Sequence, residues 1–83
     1  MKELKDLKVD VGDRIAKLTV SHGHFLVVSC WHIQNENVPM AIEAPEFITD
    51  ALHEFEKEND GFRVKTLLYQ RVNFAVYSLE RIL

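Results

Sequence analysis

Polar and apolar residues alternate along "RIAKLTV" (residues 14–20), with Ala16, Leu18 and Val20 on one side and Ile15, Lys17 and Thr19 on the other. A period of two is that of a strand with one buried face. His22-Gly23 suits the two-residue loop of a type I′ hairpin and leads into a second strand over 24–33. That loop length pairs Val20 with Phe25, Leu18 with Val27 and Ala16 with Ser29. The turn-rich "QNEN" then closes as a four-residue loop onto a third strand over 38–43, pairing Ile33 with Val38, Trp31 with Met40 and Ser29 with Ile42. Pro39 has no backbone donor, which places this strand at an edge or breaks it there. Both hairpins gather Leu18, Val20, Phe25, Val27, Trp31, Ile33, Val38, Met40 and Ile42 on one core face. A slip of one residue would destroy that agreement.

The period changes in "APEFITDALHEFEKENDG", where Phe47, Ile48, Ala51, Leu52 and Phe55 form one stripe and Asp50, His53, Glu54 and Lys57 lie opposite. This predicts a helix over 45–59 packed on the core face of the sheet, with Pro45 in the first turn and Gly61 past the end. "FRVKTLLYQ" is rich in strand formers and predicts a fourth strand over 62–69. For 71–83 two patterns compete. Leu68, Val72, Ala75, Leu79 and Ile82 follow a helical seam, whereas Val72, Phe74, Val76 and Tyr77 are mediocre helix formers, so helix and strand both stand. No Gly or Asp offers a tight reversal between Phe62 and Val72. The first eleven residues are equally open, since Leu4 and Leu7 suit a helical turn while Leu7, Val9 and Val11 alternate like a strand. The expected fold class is α+β, an antiparallel sheet with one helix on one face, in a single small domain of residues 1–83.

Composition narrows the function classes. Hydrophobic residues at 47 % and charged residues at 28 % are globular values. A chain of 83 residues with one cysteine has no internal disulfide, and the start "MKELKDLKVDVGD" mixes charge with aliphatics instead of forming an apolar leader, so the expected setting is the reducing cytoplasm. No apolar run reaches the ~18–20 residues of a membrane span. The net charge of −3 is unevenly spread. Residues 43–60 hold seven acids against Lys57, a local −6, while 61–83 carry Arg63, Lys65, Arg71 and Arg81 against Glu80, a local +3.

The run "SHGHFLVVSCWHI" carries three of the four histidines and the only cysteine, which raises the question of a metal or thiol site. On a strand His24 and Cys30 are ~20 Å apart and cannot share an ion. Cys30 and His32 are neighbours on one face, yet no CxxC or HExxH accompanies them, and no glycine-rich oxyanion loop stands beside the thiol. No metal, no cofactor and no catalytic residue are expected, and a Cys/His enzyme is the least favoured class. In the hairpin register above, Leu26, Val28 and Cys30 form a second, oily sheet face opposite the helix, which either another segment of the chain or a partner must cover.

Two binding classes follow. The favoured one is a small non-catalytic protein-binding module, a regulator, inhibitor or accessory subunit, acting through Leu26, Val28 and Cys30, through the acidic helix face of Asp50, Glu54 and Glu58, or through the third strand's edge. Its partner is another protein, or a second copy in a homodimer. The alternative is a single-stranded nucleic-acid module using Arg63, Lys65, Tyr69 and Arg71, by stacking and phosphate contacts. An isoelectric point near 5.7 disfavours it, because such affinity depends on neutralising phosphates.

Overall fold

The computed structural model describes residues 4–82. Strands β1 (Leu7–Val11), β2 (Arg14–Ser21), β3 (Phe25–His32) and β4 (Asn35–Met40) are followed by a 3-10 turn at Pro45–Ile48, helix α1 (Thr49–Glu58), β5 (Phe62–Gln70) and β6 (Phe74–Arg81). All pairings are antiparallel, in the order β1-β2-β3-β6-β5. The far edge of β3 is shared: β6 pairs with Phe25–Ser29 and β4 with Cys30–His32. The fold is α+β, and the C-terminal segment resolves as a strand. Arg71–Asn73 makes the reversal, closed by the Arg71 N–H donating to the Phe74 carbonyl at 2.8 Å, without the Gly or Asp that a tight turn favours. At the other end of the chain the strand alternative holds, with Gly12 at φ 62 carrying the turn into β2.

The first hairpin corrects the expected register. His22 and Gly23 both have positive φ and the His24 N–H donates to the Ser21 carbonyl at 3.2 Å, so the turn forms where the spacing places it. His24 is then an extra residue, and Ser21 faces Phe25. Every later pair moves by one, giving Val20 with Leu26, Leu18 with Val28 and Ala16 with Cys30. The His24 carbonyl is taken up by the Leu79 N–H of β6 at 2.8 Å. This slip turns all of β3 over. Leu26, Val28 and Cys30, expected on an outward partner-binding face, are fully buried with Leu18, Ile48, Ala51 and Phe55. The reason is polarity: these three side chains bury no nitrogen or oxygen, whereas the odd positions include the Ser29 hydroxyl and the Trp31 indole N–H, which need partners when buried. Outside, Trp31 Nε1 donates to Ser29 Oγ at 2.7 Å.

The second hairpin also differs. β3 turns at Ile33-Gln34, not at the four-residue "QNEN", and Glu36–Val38 bulge between the pairs His32–Asn35 and Trp31–Pro39. β4 therefore covers 35–40 in place of 38–43, and Ile33 and Val38 are exposed instead of buried. Ile42 is buried as expected, but beside the β5–β6 turn, where its N–H donates to the Val72 carbonyl at 2.7 Å.

The helical stripe packs as its spacing predicts, with Ile48, Ala51 and Phe55 buried and Phe47 and Leu52 partly so. α1 lies against β1 and β5, the two ends of the strand path, so the sheet wraps around it. Two helix-end side chains secure this closure. Glu56 accepts the Val64 N–H of β5 at 2.8 Å. Asn59, only 3 % exposed, accepts the Lys5 N–H at 2.6 Å and donates back to the Lys5 carbonyl at 3.3 Å.

Candidate interaction surfaces

With the helix on one face, the outward residues of four strands share the other. Cross-strand pairing sets Thr19, Val27, Val76 and Tyr69 in one row, Lys17, Ser29 and Phe74 in the next, and Ser21, Phe25 and Ser78 on the other side. Val27 and Val76 lie side by side at the centre. Phe25 and Tyr69, 39 % and 46 % exposed, flank them, and Tyr69 meets Phe74 edge-on with ring centroids 5.9 Å apart. An antiparallel sheet face left to water alone is normally polar. This one is apolar at its centre, with the hydroxyls of Thr19, Ser21, Ser29 and Ser78 around it, and it also carries Lys17, Arg63 and Glu80.

Near Trp31 the chain covers itself. The β4 bulge brings Glu36 over to Lys17, whose ammonium donates to the Glu36 carbonyl at 3.2 Å and lies 4.4 Å from the Trp31 ring centroid. Lys8 of β1 pairs with the Glu36 carboxylate at 2.9 Å. That hydrogen bond and charge hold the Glu36 carboxyl below its ordinary pKa.

The structure separates the four nucleic-acid candidates. Tyr69 and Arg71 come together, with the guanidinium 5.2 Å from the ring centroid. Arg63 is committed to Glu80, donating from Nε at 3.0 Å and from Nη2 at 2.8 Å, and the Glu80 carboxyl is lowered by that hydrogen bond and charge. Lys65 is exposed and belongs to no ion pair among the described residues. Across this face, then, Lys8 and Lys17 answer to Glu36 and Arg63 to Glu80, leaving Lys65 and Arg71 for any phosphate.

Asp50, Glu54 and Glu58 are exposed along one side of α1 and, with His53, form one wall of an open groove of about 690 Å³; the other wall is Leu7, Lys8, Val9 and Asp10 of β1. Cys30 is buried, and burial pushes its thiol up, against a smaller opposing pull from Arg14. His32 Nδ1 accepts the Gln34 N–H at 3.2 Å, which leaves its other nitrogen to carry the proton. No group of three or more His, Cys, Asp or Glu side chains among the described residues is placed to hold a metal ion. Among the described residues no helix is long and apolar enough to cross a membrane.

Two features escape the sequence pattern. The outward set of Phe25, Val27, Phe74 and Val76 follows only from the corrected register, and the signal for it was Ser29, a hydroxyl that the expected core would have had to bury. Arg14 has no sequence signature at all. Its half-buried guanidinium donates to the Ala41 carbonyl at 2.8 Å and lies 4.7 Å from the Phe47 ring centroid, tying β2 to the segment that enters the helix. Comparison with protein-family models, curated proteins and solved structures gave no match.

Proposed function

We propose that this protein is a small non-catalytic protein-binding module that occupies a partner through its open sheet face. The observation that carries this reading is the side-by-side pair Val27 and Val76, ringed by Phe25, Tyr69 and Phe74, on the sheet face opposite the helix, where Phe25 and Tyr69 are exposed. Charge favours a protein over nucleic acid here. Each phosphate contact needs an uncommitted cation, and two of the cations on this side of the sheet, Lys17 and Arg63, already serve carboxylates. An aromatic and aliphatic centre with polar groups around it is the arrangement of an interface core and its rim.

Val76→Lys tests the reading, because the side chain points away from the core and the substitution leaves the helix side untouched. Sedimentation of wild type at rising concentration reports self-association, and capture from native extract reports other partners. Val76→Lys abolishes association through this face, while Lys57→Gln, at an exposed position of the helix, preserves it. A wild type that stays monomeric and captures nothing dependent on Val76 would sink the proposal, as would tight, salt-sensitive binding of single-stranded RNA or DNA.

A further inference from the structure

We propose that the groove between the free edge of β1 and the acidic side of α1 docks an extended, basic segment of a partner protein, added to the sheet as a strand beside β1. This site lies apart from the open sheet face. β1 ends the strand path and, among the described residues, pairs with β2 alone. The Gly12-Asp13 turn closes on the pair Val11 and Arg14, and the closing pair of a two-residue hairpin exchanges both backbone hydrogen bonds. Counting back along the ladder, Val9 and Leu7 also bond to β2, whereas the N–H and C=O of Lys8 and of Asp10 face away from it. Lys8 and Asp10 line the groove, and these backbone groups find no backbone partner among the described residues.

The opposite wall carries the complementary information. Asp50, Glu54 and Glu58 recur at every fourth position of α1, about 6 Å apart along the axis. Alternate residues of an extended chain point to one side at ~6.6–6.8 Å intervals. A strand laid against β1 with Arg or Lys at alternate positions therefore brings successive cations to successive carboxylates in nearly matched repeat. These carboxylates are uncommitted: neither Asp10 nor Asp50, Glu54 or Glu58 belongs to an ion pair among the described residues, and Lys8 is turned to Glu36. The same charge disfavours a second copy, since edge-to-edge pairing of two β1 strands would bring two acidic helices alongside each other. Strand addition takes its affinity from backbone bonds and its selectivity from alternate side chains, and here both are present in one groove.

The test uses a fluorescein-labelled octapeptide of alternating arginine and threonine, followed by anisotropy at low salt. Its controls are a peptide of equal composition with the arginines in one block, and the alternating peptide N-methylated on its backbone. The alternating peptide binds at least about tenfold more tightly than either control, as loss of backbone and charge-assisted hydrogen bonds requires. Glu54→Gln combined with Glu58→Gln weakens it by a similar factor. Lys8→Pro, which deletes an outward N–H without touching the β1–β2 ladder, also weakens it, and bound peptide slows amide exchange at Lys8 and Asp10. Equal binding of all three peptides, or none of any, overturns the proposal. Val76→Lys leaves peptide binding unchanged, so this inference and the proposed function fail separately.

Discussion

Replacing Asn59 by alanine removes the side chain that fastens the helix end to the segment entering β1. Three hydrogen bonds disappear: Lys5 N–H to Oδ1 at 2.6 Å, and Nδ2 to the Lys5 carbonyl at 3.3 Å and to the Phe55 carbonyl at 3.0 Å. They are not equally costly. The Phe55 carbonyl keeps the Asn59 backbone N–H at 2.9 Å, so its loss is about 0.5 kcal/mol, and the exposed Lys5 groups recover water at about 0.5–1 kcal/mol each. With the gap left by a buried amide, the total is about 1.5–3 kcal/mol. That is a large part of the roughly 4–12 kcal/mol expected for a domain of this size. Urea melts at constant slope should show the midpoint falling by roughly 1–2 M. Amide exchange should accelerate through β1 more than through β3, because only β1 depends on this fastening to stay against the helix. A loss under about 0.5 kcal/mol, or acceleration no greater in β1 than in β3, would refute the assignment of Asn59 as a clamp.

The inverted β3 register predicts that Val28→Asp costs about 4 kcal/mol or more by burying a charge, while Val27→Asp costs about 1 kcal/mol; equal losses in thermal melts would mean the faces are misassigned. Tyr77 is 5 % exposed and its hydroxyl has no hydrogen-bond partner among the described residues, so Tyr77→Phe should leave stability unchanged or raise it by about 1 kcal/mol, and a clear loss would expose a partner for that hydroxyl. Glu36 and Glu80 are held below the usual 4.5 by Lys8 and Arg63. A depressed folded pKa stabilises above the unfolded value and loses that contribution as pH falls through the folded one. Stability should therefore decline on acidification below about pH 4.5, and Glu80→Gln should flatten that decline; an unchanged acid profile would show the Arg63 pair to be without effect. Both carboxylates face solvent, so salt should weaken the same dependence.

Local pattern was sufficient for the elements whose signal is repeated many times. The stripe Ile48, Ala51 and Phe55, the strands on either side of His22-Gly23, and β5 all depend on side-chain period and turn chemistry, which are written residue by residue. The C-terminal segment was legible only as an ambiguity. Val72–Leu79 satisfies a helical seam and a strand alternation alike, and the choice was made by β3, whose free edge offers Phe25–Ser29 a ladder that a helix could not complete. The acidic residues of α1 were visible as charge, but the groove they share with β1 was not, because the chain's first strand and its helix are far apart in sequence.

What the sequence determined by itself is the α+β class, the helix and its buried stripe, and the alternation of each strand. Which side of β3 turns inward was decided by tertiary structure. A single inserted residue, His24, exchanges the two faces at little local cost, and the balance is struck by where Ser29 and Trp31 can place their polar atoms and by β6 claiming the His24 carbonyl. Register is a property of the whole sheet, since one step along the ladder changes the environment of every side chain on the strand at once.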